Sequence, residues 1–198
     1  MRVLSGSSLE EYAKWYLERE AAKGDSRPIP NRPERQVEAM WERHGSNDDK
    51  MRKWFNESTR WQIVELDAVE DLPNLVFLDC PWTKRAGLVI PDGPNYRLLR
   101  RVAENALACD YLSSLPPDHQ EHKKYYDSLV RGSLRLVGKN RVAVCSAEPD
   151  ETASNPAARY YLLDGVGRCL PYMMLSLERK VEPVPIEAFL ADRGTERR

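Results

Sequence analysis

The sequence predicts an α+β fold, in which a mixed β-sheet with flanking helices is preceded by an N-terminal helical extension. Apolar residues recur at helical spacing in the first part of the chain and again from Tyr96 to Leu115, where they keep to one stripe. Short apolar runs bounded by turn residues, such as Trp61–Leu66 and Arg159–Leu163, predict strands instead. The chain has 198 residues, of which 41% are hydrophobic and 31% charged, which is enough for one ordinary domain with a full core.

Residues 1–58 are predicted to form the N-terminal helical extension. A capping-box pattern at Ser8 begins the first helix, because a serine and a glutamate three residues later satisfy each other's backbone donors, and Gly24 ends it. The proline-rich segment Ser26–Pro33 predicts an extended linker. A second helix follows the linker, and a third is predicted to begin at Ser46, where serine is a favoured cap.

Residues 59–192 are predicted to form the α+β domain, and residues 193–198 a flexible tail. Its strands are assigned from apolar runs, and its helices from apolar stripes that end at a glycine or a proline pair. In chain order, strands are predicted at residues 61–66, 75–78, 141–145 and 159–163, with a short extended piece at 184–186. Helices are predicted at residues 96–115, 120–131 and 166–177.

The junction between the strand that ends at Leu163 and the following helix is the part of the sequence that points to chemistry. Its residues are, in order, Asp164, Gly165, Val166, Gly167 and Arg168. The N-terminus of a helix carries unpaired amides and partial positive charge, so it binds phosphate readily. The planar guanidinium of an arginine adds two parallel donors for phosphate oxygens. The alternative is an ordinary strand-to-helix turn, whose glycines serve the backbone alone.

The charge distribution limits the nucleic-acid contacts that the chain can make. The formal net charge is −1, so no global positive field attracts the protein to DNA, and any contact must come from a local patch. One basic cluster precedes the phosphate-type turn, and its members are Arg131, Arg135, Lys139 and Arg141. These side chains are candidates for contacts with the phosphates of DNA or of a nucleotide. The alternative is a solvated charged surface.

Composition also bears on location and on metal binding. No apolar run approaches the roughly 20 residues that a membrane helix needs, so no membrane insertion is expected. The segment Met1–Gly6 is too short and too quickly polar for a secretory signal, and the four cysteines form no C-x-x-C pair. Both observations predict a cytoplasmic protein with reduced thiols. Residues 118–122 carry an aspartate, a glutamate and two histidines, but they predict an exposed helix start rather than a metal site.

The order of elements from Tyr125 onward resembles the ParB/sulfiredoxin superfamily. A helix that ends at Gly132 is followed by the strand Val142–Val144, and a second strand ends in Asp-Gly shortly before Arg168. The signature of that superfamily is a strand ending in Asp-Gly, one or two variable residues, an arginine and a helix. The resemblance covers the chain from Tyr125 to about residue 190, and it starts near residue 60 if Trp61–Leu66 is the first strand of the domain.

The resemblance implies a bound nucleotide, ATP or another, with Mg²⁺ as a further cofactor. Its phosphates would be held by the backbone of Gly165, Val166 and Gly167 and by the side chain of Arg168. Asp164 would orient the turn or hold a metal, and Asp164 and Glu65 are the candidate catalytic carboxylates.

Two positions depart from the patterns of known branches of the superfamily. Sulfiredoxins carry a nucleophilic cysteine where this chain has Val166, so sulfinic acid reductase activity is not expected. Chromosome-partitioning members carry a charged residue or histidine where this chain has Gly167. Their upstream arginine box and helix-turn-helix are also missing, which argues against a partitioning clamp.

Length and architecture are most similar to the Osa-like fertility-inhibition proteins of plasmids. This similarity implies a nucleotide-binding, ATP-hydrolysing protein that acts on DNA, as a nuclease for example, or on a protein complex of conjugative DNA transfer. One alternative is a protein-interaction module that keeps the fold without turnover. Another is a small-molecule kinase acting on free serine, with Glu65 or Asp67 as its base.

Overall fold

A six-stranded mixed sheet forms the centre of the molecule, and five α-helices pack around it. The structure is a computed structural model that describes residues 1–44, 55, 59–77, 83, 86–115, 119–147 and 154–193, and counts of elements refer to these residues. The strands are β1 (Arg2–Ser7), β2 (Arg60–Leu66), β3 (Leu75–Phe77), β4 (Val142–Ser146), β5 (Tyr160–Asp164) and β6 (Ile186–Asp192). The helices are α1 (Leu9–Ala22), α2 (Pro33–His44), α3 (Leu99–Ala108), α4 (Gln120–Val130) and α5 (Val166–Leu177). Within these ranges, no helix is long and apolar enough to cross a bilayer.

The strands lie in the order β1-β2-β6-β4-β5-β3. The neighbours β1–β2, β2–β6 and β4–β5 are antiparallel, whereas β4–β6 and β3–β5 are parallel. The central strand β4 is apolar from Val142 to Cys145 and buried along that whole stretch, as expected for a strand that is covered on both faces. The sheet therefore needs a layer of helices on each side.

Two hydrophobic cores fill the two faces of the sheet. Leu66, Val144 and Leu162 point to one face, where they pack against α3, α4 and α5. Trp61 and Phe189 point to the other face, where they pack against α1 and α2. Because successive side chains of a strand point to opposite faces, neighbouring residues of one strand serve different cores. The N-terminal helices thus cover the sheet instead of standing apart from it.

Most of the predicted elements are present, with small shifts at their ends. The strands predicted at 61–66, 141–145 and 159–163 correspond to β2, β4 and β5, and the helix that Ser8 caps is α1, with its Oγ accepting from the Glu11 amide at 3.2 Å. The strand predicted at 75–78 is confirmed as far as Phe77. The helix predicted to begin at Ser46, residue 78 and residues 194–198 lie outside the described residues.

The helix predicted at 96–115 is too long. Helix α3 ends at Ala108, and Asp110 then takes a left-handed backbone conformation with φ of 50°, which interrupts the α-helical hydrogen bonds. The apolar stripe continues past this break because Tyr111, in a short 3₁₀ turn, is still buried against the same core. A periodic apolar pattern alone does not distinguish one helix from a helix followed by a turn.

Two strands were missed or shortened by the prediction. Residues 2–7 were expected to be part of a helical segment but form the edge strand β1, which pairs with β2 and is exposed along most of its length. The extended piece at 184–186 is the approach to β6, which runs for seven residues to Asp192 in the middle of the sheet. Neither strand shows clean alternation, because the apolar Val3 and Leu4 are neighbours in an otherwise polar β1 and β6 has apolar residues on both faces.

Candidate functional site

The turn between β5 and α5 has the geometry of an anion-binding helix N-terminus. Gly165 precedes the helix with φ of +105°, and its carbonyl accepts from the amides of Arg168 at 2.9 Å and Cys169 at 2.8 Å. Gly165 has no side chain to cap the helix, so the amides of Val166 and Gly167 at the start of α5 have no side-chain cap from it. A Cβ at residue 165 would lie 2.6 Å from the Cγ1 of Val142, so glycine is required by both conformation and space.

A shift in strand register turns Asp164 toward α1. The pairing of β4 with β5 changes between Ala143 and Val144, so that Asp164 rather than Leu163 lies opposite Ala143. Such irregularities re-aim a side chain at the end of a strand. The Asp164 carboxylate consequently reaches the guanidinium of Arg19 on α1.

A cleft of about 190 Å³ opens at this turn. It lies between α1, α4 and the first turn of α5, and its walls bring together residues from all three. The lining residues besides the five of the turn are Arg19, Lys23, His119, Glu121, His122, Tyr125 and Leu163. Gly167 packs directly against α4, since a Cβ there would lie 2.9 Å from Cδ2 of His122.

Two buried arginines share one carboxylate in the floor of the cleft. Asp164 Oδ2 accepts from Arg19 and, at 3.3 Å, from Nη2 of Arg168. Burial lowers the pKa of Arg168, and burial together with the charge of Arg168 lowers the pKa of Arg19. The Nε of Arg19 is buried and has no hydrogen-bond partner among the described residues. Arg19 also donates to Glu20 Oε1 at 2.9 Å, so the floor of the cleft holds two closely spaced guanidinium groups whose charge is balanced by carboxylates. An anion in the cleft could accept from the donor that remains at Nε of Arg19.

A second cavity of about 360 Å³ adjoins the first. The two share four lining residues, Arg19, Lys23, Tyr125 and Arg168. The second cavity is lined in addition by Trp15, Glu18, Ala22, Lys139 and Asn140. The indole Nε1 of Trp15 donates to the carbonyl of Lys139 at 3.2 Å, which ties α1 to the segment before β4. The site thus extends from the helix N-terminus to an aromatic cavity with a lysine at its rim.

Two groups near the cleft have strongly shifted pKa values. Burial, helped by the charges of His119 and Lys23, lowers the pKa of His122 to about 4, and its Nδ1 lies 3.1 Å from the hydroxyl of Tyr111. His122 is therefore neutral near pH 7. Burial raises the pKa of the Cys169 thiol to about 12, so this thiol is not a nucleophile at neutral pH.

The predicted catalytic carboxylates lie in different places. Asp164 is in the cleft, but Glu65 is on β2, where its Oε2 accepts from Nη2 of Arg2 at 2.9 Å. Strands β6 and β4 separate β2 from β5, and Glu65 does not line the cleft. Asp67 accepts from the amides of Val69 and Glu70, which lowers its pKa and fixes it in a turn. The structure therefore brings Asp164 to the phosphate-type turn without Glu65 or Asp67.

The four residues predicted to contact DNA differ in their surroundings. Lys139 is exposed at the rim of the second cavity. Arg141 is paired with Glu187 at 3.0 Å and lies over the ring of Phe189. Arg131 and Arg135 are exposed.

The residues that sequence reasoning missed are Arg19, Lys23 and Tyr125. Trp15 was predicted to pack the N-terminal helices rather than to stack on a base, and Glu121 belonged to the predicted exposed helix start. Trp15, Arg19 and Lys23 follow each other at four-residue spacing along α1 and its C-cap, and Glu121 and Tyr125 have the same spacing on α4. The four-residue spacing can be read from the sequence, but only the fold shows that these faces of α1 and α4 both meet the turn after β5. The described residues contain no group of three or more His, Cys, Asp or Glu side chains arranged to hold a metal, and Asp118 lies outside them.

Comparisons of the chain with protein-family models, with curated proteins and with solved structures gave no match. The functional assignment accordingly depends on the geometry and the charge of the cleft.

Proposed function

We propose that the protein binds a nucleotide, with its phosphates in the cleft at the N-terminus of α5. The observation that carries the proposal is the pair of arginines Arg19 and Arg168, which come from separate helices, have little exposure to solvent and both donate to the carboxylate of Asp164. The buried Nε of Arg19, without a hydrogen-bond partner among the described residues, adds an unused donor. Phosphate oxygens would satisfy these donors together with the first amides of α5.

The two adjoining cavities match the two halves of a nucleotide. The smaller one is polar and lies at the helix N-terminus, which suits the phosphates. The larger one is bordered by Trp15 and Tyr125, and aromatic side chains of this kind stack on nucleobases. Small-molecule sites usually have volumes of about 300–1,000 Å³, a range that the two cavities reach together.

The proposal includes ATP hydrolysis, but the catalytic carboxylate in it is Glu121 instead of Asp164 or Glu65. Asp164 is held between two guanidinium groups, which makes it a poor base. Glu121 lines the same cleft with a side chain that is 39% exposed, and its Oε2 lies 3.6 Å from Nζ of Lys23. Glu121 would orient the attacking water. It would also supply one oxygen ligand to a Mg²⁺ ion whose other ligands are phosphates and waters.

Action on DNA or on a DNA-transfer complex is the proposed biological role. The order α4, β4, β5, phosphate-type turn and α5 supports it through the resemblance to the ParB/sulfiredoxin superfamily and its fertility-inhibition branch. Arg131, Arg135 and Lys139 are exposed and form no ion pair with any described carboxylate, so their charge is open to a phosphate backbone.

A non-catalytic interaction protein is the second candidate. The observation in its favour is that each carboxylate lining the cleft already contacts a cation: Asp164 contacts the two arginines, and Glu121 contacts Lys23. Such a cleft would hold a nucleotide without turning it over. A free-serine kinase gains no support, because neither Glu65 nor Asp67 lines the cleft.

Calorimetric titration of ATP and of CTP, each with Mg²⁺, into wild type and Arg168→Ala tests the proposal. Wild type should bind at least one of them, and Arg168→Ala should weaken that binding about tenfold or more, since hydrogen bonds to charged groups are among the strongest. Arg100→Ala is the matched control, because Arg100 is exposed on α3 and pairs with Glu104. Lys23→Ala removes a more exposed cation and covers the case in which Arg168→Ala does not fold.

Phosphate release in the same samples, with and without DNA, then separates the two candidates. Release that wild type shows and Glu121→Gln lacks supports the ATPase, and stimulation by DNA supports the biological role. Binding without release supports the interaction protein. If wild type binds neither nucleotide, the nucleotide-binding function is wrong.

A further inference from the structure

Asp164 occupies the place between Arg19 and Arg168 that an anionic ligand needs. We propose that this carboxylate is an internal counter-ion, which competes with the phosphates and sets the affinity of the cleft. The inference rests on the nucleotide-binding function proposed above and adds a specific role for Asp164. In this role Asp164 lowers affinity, in contrast to the turn-orienting, metal-holding or catalytic role that the resemblance implied for it.

The geometry of the carboxylate carries the inference. One oxygen atom, Oδ2, accepts from both arginines, and the helices that carry these arginines, α1 and α5, cover opposite faces of the sheet. The Asp164 side chain is 16% exposed, whereas that of Arg168 is 3% exposed. Asp164, Arg19 and Arg168 all line the cleft, and the carboxylate is the more exposed partner of its pair with Arg168. A phosphate in the cleft therefore competes with Asp164 for the same guanidinium groups.

Because the cations of the cleft are already paired with carboxylates, a phosphate group that binds there must replace Asp164 as the partner of the arginines. Each cation in the cleft already has a carboxylate: Arg19 and Arg168 have Asp164, and Lys23 lies 3.6 Å from Glu121. Buried cations are costly unless they are paired, so Asp164 stabilises the empty cleft. A phosphate group offers more acceptor oxygens to the same donors, but it gains only the difference between its ion pairs and those of Asp164.

Glu20 provides a control with nearly the same electrostatics. Its Oε1 accepts from Arg19 Nη2 at 2.9 Å and lies 3.2 Å from Nζ of Lys23, so it contacts two of the three cations. Glu20 does not line the cleft, however. Replacing Glu20 removes the same unit of negative charge without vacating the ligand's place.

The test is a calorimetric titration of ATP with Mg²⁺ into wild type, Asp164→Asn and Glu20→Gln. Asp164→Asn should bind ATP about tenfold more tightly than wild type, because two charged donors lose their internal partner and gain the ligand instead. Glu20→Gln should tighten binding by a clearly smaller factor. Equal tightening by the two variants, or binding by Asp164→Asn that is no tighter than that of wild type, would overturn the inference.

The outcomes separate this inference from the proposed function. If neither wild type nor Asp164→Asn binds ATP, and neither binds CTP, the nucleotide-binding function itself fails. If wild type binds and Asp164→Asn binds equally or more weakly, the function stands and Asp164 positions the arginines instead of competing with the ligand.

Asp164→Asn removes the carboxylate that Arg168 contacts and leaves Arg19 with Glu20, so thermal unfolding of each variant is measured first. If this variant does not fold, Arg19→Gln is compared with Arg19→Gln/Asp164→Asn. The double variant removes one cation and one carboxylate together, so the net charge of the cleft is the same as in wild type. The double variant should still bind ATP more tightly than Arg19→Gln, because Asp164 no longer competes for Arg168. Weaker or unchanged binding would refute the role of counter-ion.

Discussion

Replacement of Gly165 by alanine should destabilise the protein by about 3 kcal/mol. A left-handed backbone conformation costs an alanine roughly 1–2 kcal/mol relative to glycine. The added Cβ would also lie 2.6 Å from Cγ1 of Val142, which is fully buried in β4, and overpacking of a core typically costs about 1–3 kcal/mol. The loss of chain entropy in the unfolded state offsets about 0.4–1 kcal/mol of this sum. The expected net effect is therefore a large fraction of the stability of an ordinary domain.

Gly24 provides a matched control for the conformational part of this cost. Its φ is +106°, almost the same as that of Gly165, but a Cβ there would have no neighbour within 4 Å. The assay is urea unfolding of wild type, Gly165→Ala and Gly24→Ala, with the free energies of unfolding extrapolated to water. Gly165→Ala should cost at least about 1 kcal/mol more than Gly24→Ala. Equal costs would refute the argument that the close approach to Val142 requires glycine.

Two further predictions follow from the buried groups around the cleft. Because burial lowers the pKa of His122 to about 4, the folded chain binds fewer protons than the unfolded chain between about pH 4 and pH 6.5, so stability should fall as the pH decreases through this window. In His122→Gln, urea unfolding at several pH values should show this fall reduced by up to about 3 kcal/mol, and an unchanged pH profile would contradict the assignment. Cys109 is exposed whereas Cys145 and Cys169 are buried, so a thiol reagent followed by peptide mapping should label Cys109 rapidly and the other two only on unfolding. Rapid labelling of Cys169 in the folded protein would show that its thiol is accessible.

The elements that the sequence predicted well are those with a local signal. Strands β2, β4 and β5 are short apolar runs between turns, and helix α1 begins at a serine that caps it. The turn from Asp164 to Arg168 was found for the same reason, since a glycine that follows a strand and precedes a helix marks a sharp change of direction. Such features depend on a few neighbouring residues and need no knowledge of the fold.

The features that were missed depend on contacts between distant parts of the chain. Strand β1 is exposed on both faces, so its extended conformation comes from pairing with β2 and leaves no hydrophobic pattern. The break after α3 is hidden because Tyr111 continues the apolar stripe in a 3₁₀ turn. Arg19 has an ordinary position on an amphipathic helix, and only the arrangement of α1 against the sheet brings it to Asp164.

Helix α1 forms one wall of the cleft, and aromatic side chains pack it against the sheet. Tyr12 of α1 is fully buried and stacks on Trp61 with ring centroids 5.0 Å apart, and it meets the edge of Phe189 at 5.6 Å. This packing sets the distance between α1 and the strand ends, and so determines whether Arg19 can reach the carboxylate that Arg168 of α5 also contacts. A pair of arginines that is assembled from two layers in this way exists only when both layers are docked. The helix that the sequence predicted as part of an extension is therefore, in the structure, one wall of the candidate site.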